Sequence, residues 1–140
     1  MSEYVVDASV AAKWYLDEIH TDAARELLGG EHDLHAPDFL LIELDNVFCK
    51  HIRRGEMSVA HADSSRAALR RVPMRLWPTG LLQETAYSTA VRTRRSVYDC
   101  LYVALAMVLD AAMVTADRRL VDALADGPAG EHLVWVEDLG

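Results

Sequence analysis

Cysteine is scarce in this chain: Cys49 and Cys100 are the only two among 140 residues, and neither stands in a metal-site spacing. That excludes a disulfide-stapled scaffold and a zinc module of the Cys-x-x-Cys kind. Both thiols fall inside apolar helical patterns, so they are expected to be buried, free and reduced. Positive charge is also in deficit, with 14 Lys and Arg against 22 Asp and Glu, a net charge of −8. Bulk attraction to a polyanion is thereby excluded, and any grip on nucleic acid has to come from local basic clusters. Proline and glycine number only four and seven while apolar residues make up 51%, which excludes a disordered or fibrous chain. The apolar run from Cys100 to Leu109 is too short for the ~20 residues of a membrane span, so a buried core helix is expected and no membrane partner. The N-terminus has no basic segment followed by an apolar stretch. No signal peptide is therefore expected, and a cytoplasmic location is. Gly-rich phosphate loops and Ser–His–Asp arrangements are absent as well.

What is present is an alternation of strands and helices. "YVVDAS" reads as a short strand stopping at Asp7, with Ser9 placed to cap a helix over roughly 10–16. "HTDAARELL" predicts a helix closed by Gly29 and Gly30. "DLHAP" is a strand ended by Pro37, and Asp38 suits the N-cap of a helix reaching about Arg54. A further helix starts near Ser58, "MRLWP" is a strand, and the next helix begins at Thr79 or Gly80 and runs to about Thr93. Ser96 caps the buried helix, "AMVTAD" is a strand, 118–125 a short helix and "HLVWVED" a last strand. This order predicts right-handed crossovers in one domain, 1–140. The fold class is α/β, a three-layer α/β/α arrangement around a central parallel sheet.

Open parallel sheets place their sites beyond the carboxyl ends of the strands, and Asp7 and Asp117 end two predicted strands. Each also has a plain structural reading, an Asx-type turn for Asp7 and a helix cap for Asp117. Glu43 falls on the flank of the face formed by Leu40, Leu41, Leu44, Val47 and Phe48, in line with Asn46 and Lys50, either of which is a possible partner. Asp99 stands third in its helix, where "Ser-x-x-Asp" resembles a capping box, yet shares a stripe with Val103 and Ala106. Four carboxylates at strand ends and helix starts are expected to gather at one sheet edge. There they would repel one another unless a divalent cation supplies counter-charge. With oxygen ligands and no paired His or Cys, Mg²⁺ or Mn²⁺ suits such a set better than Zn²⁺. A hard cation among carboxylates is apparatus for phosphodiester hydrolysis.

In order and spacing, "VVDAS", "PDFLLIELDNV", "YDCLYVALA" and "VTADRRL" resemble the PIN domains, and among them the VapC-type toxins of bacterial toxin–antitoxin modules. The resemblance covers essentially the whole chain. It implies a PIN fold, a homodimer, Mg²⁺- or Mn²⁺-dependent cleavage of RNA, and an antitoxin partner. The family's acidic positions fall on Asp7, Glu43, Asp99 and Asp117 without departure. Its small hydroxyl positions fall on Ser9 and Thr115.

Arg94 and Arg95 closely precede Asp99, and Arg118 and Arg119 follow Asp117, so these four are the first candidates for RNA phosphate contacts. The same arginines could meet an antitoxin segment laid over the site. The histidines show no convergent spacing, and His32 and His35 of "HDLH" are expected as a surface pair. Trp14, Trp77 and Trp135 read as core or interface anchors. Two rival functions remain at this point. One is an aspartyl-phosphate phosphotransferase using Asp7, weakened because Ser9 stands where a second carboxylate is expected. The other is a non-catalytic PIN-like binding module.

Overall fold

The computed structural model describes residues 2–139. Its centre is a five-stranded sheet, all parallel, in the order β3-β2-β1-β4-β5. The strands are β1 (Glu3–Val6), β2 (Asp33–Pro37), β3 (Met74–Trp77), β4 (Ala112–Thr115) and β5 (Leu133–Trp135). Helices flank the sheet: α1 (Ala8–Ala11), α2 (Thr21–Arg25), α3 (Phe39–Arg53), α4 (Val59–Arg71), α5 (Gln83–Thr93), α6 (Val97–Leu109) and α7 (Arg118–Leu124). The chain builds outward from β1 through β2 to β3, then crosses back to lay β4 on the other side of β1. This reversal makes the carboxyl ends of β1 and β4 a topological switch point, the crevice where open α/β sheets hold ligands. No helix among the described residues is long and apolar enough to cross a membrane.

The core forms where the apolar runs said it would. Val5 and Val6 of β1 and Met113 and Val114 of β4 are fully buried, as is every residue of α6 from Tyr102 to Ala106. α6 packs across β1, β2 and β4 and lies alongside α5, which is why its sequence is apolar on nearly every side. Ser96 Oγ accepts the Asp99 backbone N–H at 3.0 Å and starts the helix. Ser96→Ala should cost about 1 kcal/mol. A thermal melt checks it, with Tm lower by roughly 3–5 °C.

Several local expectations are corrected. Ser9 does not cap a helix but lies within α1, which begins at Ala8, and its hydroxyl turns to Asp7 instead. Asp38 stands at the N-cap of α3, but its carboxylate accepts from Thr79 N and Oγ1. The Thr79 hydroxyl in turn accepts the Phe39 N–H at 3.1 Å, so a residue forty positions away caps α3. Cys100 is buried, but Cys49 is exposed on α3. His35 is buried, not on the surface: β2 is covered on both faces, and His35 Nδ1 accepts from Trp77 Nε1 at 3.1 Å.

Candidate active site

The carboxyl end of β1 delivers Asp7 and that of β4 delivers Asp117. The first turn of α6 delivers Asp99, and the first turns of α3 deliver Glu43. All four line one open cleft of about 350 Å³, together with Ser9, Lys13 and Glu18. Thus the structure brings together the four acids that the sequence separates by up to 110 residues, and it places Ser9 with them.

Asp7 is held most firmly. Its Oδ2 accepts from Ser9 Oγ at 2.7 Å and from Thr115 Oγ1 at 2.8 Å. Ser9 Oγ also accepts the Ala116 N–H, and Thr115 Oγ1 accepts the Asp117 N–H. The two hydroxyls thereby knit the ends of β1 and β4 together and fix Asp7. The Asx-type turn expected of Asp7 is not made, since its carboxylate caps nothing. Glu43 does not pair with Lys50 or Asn46: Tyr102, buried on α6, donates its hydroxyl to Glu43 Oε1 at 2.7 Å. Asp117 does cap α7, its Oδ1 accepting from Arg119 N and Leu120 N. Arg95 Nη2 lies 3.4 Å from Asp99 Oδ2 and 3.5 Å from Asp117 Oδ2, bridging the two acids.

One oxygen of each of three acids is therefore committed to the protein, Asp7 through Oδ2, Glu43 through Oε1 and Asp99 through Oδ2. Their other oxygens, Asp7 Oδ1, Glu43 Oε2 and Asp99 Oδ1, have no hydrogen-bond donor among the described residues. Partners that hold one oxygen and leave the other free are the supports that metal-ligating carboxylates need. The donor set is hard and all-oxygen, which suits Mg²⁺ or Mn²⁺. Asp117 differs, because both its oxygens are engaged. Among the described residues the acids do not close into a ready-made set of three or more ligands. The cleft is lined by like charges held apart, with Arg95 lodged between two of them.

Electrostatics follow from this crowding. Burial pushes the Asp7 carboxyl up to about 6, against the pull of its two hydroxyl donors and with added repulsion from Asp99 and Asp117. Burial likewise pushes Glu43 up to about 7, opposed by Tyr102 and aided by Asp7 and Asp99. Both groups are thus poised to ionise when positive charge arrives.

Of the arginines singled out from sequence, only Arg95 reaches the acids with its side chain. Arg94 ends α5 in the left-handed conformation, φ +61°, and is exposed. Arg118 and Arg119 are exposed in the first turn of α7, with Arg118 stacked on the Trp135 ring at 4.0 Å. Sequence reasoning missed Tyr102, whose phenol is indistinguishable in sequence from a core aromatic. It also missed Lys13, although a lone cation inside the apolar run "SVAAKWYL" was a visible signal.

Residues 4–125 match the PIN domain family. Ribonuclease VapC9 of Mycobacterium tuberculosis is 34% identical over 118 residues, covering 84% of this chain and 88% of that protein. The crystal structure of PAE2754 from Pyrobaculum aerophilum superposes with a TM-score of 0.70 at 22% identity, over 97% of this chain and 90% of its own. VapBC2 from Rickettsia felis, crystallised bound to a DNA fragment from its promoter, gives a TM-score of 0.64 at 12% identity, over 95% and 98% of the two chains.

Proposed function

The chain belongs to the PIN domain family, and on that premise we propose that it is a VapC-type toxin, a metal-dependent endoribonuclease that hydrolyses RNA phosphodiester bonds. The observation that carries the reading is the convergence of Asp7, Glu43, Asp99 and Asp117 on one cleft at the switch point of the sheet. The naming of VapC9 as a ribonuclease supports the reaction and substrate class. The VapBC2 complex supports a cognate antitoxin as the partner. Residues 1–140 then form one PIN domain acting as a cytoplasmic homodimer.

In this reading Asp7 and Asp99, each with one oxygen free of protein donors, would hold Mg²⁺ or Mn²⁺, and Asp117 would act through water or through its helix cap. A cation of this kind, when bound, offsets the crowded negative charge, polarises the phosphate and makes water a stronger nucleophile. Glu43 would help bind the ion or orient the attacking water with Oε2, while Tyr102 fixes the other oxygen. Ser9 and Thr115 keep Asp7 in a single rotamer. Arg94, Arg118 and Arg119 stand near enough in sequence to the acids to meet phosphates flanking the scissile bond.

The test is cleavage of single-stranded RNA with Mg²⁺, with Mn²⁺ and with excess EDTA. Cleavage is expected with either cation and not with EDTA. Because water and not the ribose 2′-hydroxyl attacks, products should carry a 5′-phosphate and a 3′-hydroxyl. A 2′,3′-cyclic phosphate end, or activity that persists in EDTA, would overturn the mechanism.

A further inference from the structure

Lys13 lines the acid cleft and, unlike Arg95, pairs with none of its four acids. It follows α1 in a tight helical turn, Ala12–Trp14, inside a stretch whose neighbours Val10, Ala11, Ala12 and Trp14 are all buried. Lys13 itself is only 7% exposed. A lysine so enclosed normally needs acceptors for its three N–H donors. Among the described residues its ammonium has one, Glu18 Oε1 at 3.3 Å. No oxygen of Asp7, Glu43, Asp99 or Asp117 comes within 4.0 Å of it. It therefore makes no ion pair with the four acids, and two of its donors have no acceptor among the described residues.

We propose that Lys13 is a phosphate-binding residue of the cleft: its ammonium donates to a non-bridging oxygen of the RNA backbone beside the scissile bond, and Glu18 is the tether that keeps it in position while the cleft is empty. This rests on the ribonuclease reading above. The chemistry is that of an anion entering a negatively lined site. A polyanion meets four carboxylates there, and a fixed ammonium on the cleft wall gives one phosphate a charge-assisted hydrogen bond. Glu18 is considerably more exposed than Lys13, with 39% of its side chain accessible against 9%. An incoming phosphate can therefore take over or share the ammonium without moving the backbone. A purely structural Lys13–Glu18 pair makes a different prediction, since removing either partner would then have the same consequence.

The experiment measures binding of a short single-stranded RNA by fluorescence anisotropy, in Mg²⁺, to protein made cleavage-deficient by Asp99→Asn. Lys13→Met, Lys13→Arg and Glu18→Gln are added singly, with a thermal melt of each. Lys13→Met is expected to weaken binding by roughly tenfold and to lower the salt-dependence slope by about 0.7, the loss of one phosphate contact. Lys13→Arg should keep most of the affinity. Glu18→Gln, which frees the ammonium, should bind RNA as tightly as the parent or more so. Equal losses in Lys13→Met and Glu18→Gln, or no loss in Lys13→Met, would overturn the proposal. Should Lys13→Met fail to fold, Glu18→Gln still decides it: binding weaker than the parent's overturns the proposal. If the unsubstituted protein cleaves no RNA, the ribonuclease reading itself fails. If it cleaves and only the Lys13 effects are missing, the failure belongs to this inference alone.

Discussion

Asp7→Asn is expected to lower RNA cleavage on the order of a thousandfold while making the metal-free protein more stable. The activity loss follows from removing a charged oxygen that the cleft leaves free beside the reacting phosphate. The stability gain follows from the pKa. Burial lifts the Asp7 carboxyl from an ordinary 3.8 to about 6, so the native state holds this proton more tightly than the unfolded chain. Between those values stability falls as pH rises, and above about pH 6 the ionised, buried Asp7 subtracts about 2–3 kcal/mol. Asparagine can accept the Ser9 and Thr115 hydroxyls through its amide oxygen without carrying the charge. Melts in EDTA at pH 8 should therefore show a Tm higher by roughly 5 °C or more. The gain should vanish below about pH 3, where Asp7 is protonated in both states. A lower Tm at pH 8 in EDTA, or cleavage near the parent rate, would sink the assignment of Asp7.

Metal affinity should depend steeply on pH. Two carboxyls, Asp7 at about 6 and Glu43 at about 7, must lose their protons before both can serve a cation. Binding to such groups releases protons, so each one costs about tenfold in affinity per pH unit below its own pKa. From pH 7 to 6 only Glu43 contributes; from pH 6 to 5 both do. Calorimetric titration with Mn²⁺ should thus give a Kd roughly a thousandfold weaker at pH 5 than at pH 8. Glu43→Gln should flatten the upper part of that curve, between pH 6 and 7. A pH-independent Kd would show that neither carboxyl lies at the bound ion.

Much of this molecule was legible in the chain. The β-branched run before Asp7, the Ser96 cap and the unbroken apolar face of α6 each specify local structure through short-range chemistry. Their alternation leads to a parallel sheet through the handedness of crossovers. Asp7 and Asp117 could be named because a buried strand has no need of a carboxylate at its end, and the resemblance added Glu43 and Asp99. What those acids touch was another matter. The i, i+3 and i+7 spacing made Asn46 and Lys50 plausible partners for Glu43, yet its actual partner is Tyr102, 59 positions away on another helix. Ser9 looked like a cap and instead joins Thr115, 106 positions off, in fixing Asp7.

The sequence by itself determined most of the elements and of the core, because periodicity, capping and burial depend on neighbours within a turn or two, and its resemblance pointed to the four carboxylates. Only the tertiary structure decided how those carboxylates are held: which oxygen is committed and which is free, where Arg95 bridges, and that Lys13 enters the same cleft. The reason is physical. Hydrogen bonds and desolvation act over a few ångströms of space whatever the distance along the chain, and the switch between β1 and β4 brings residues 7 and 117 into that range.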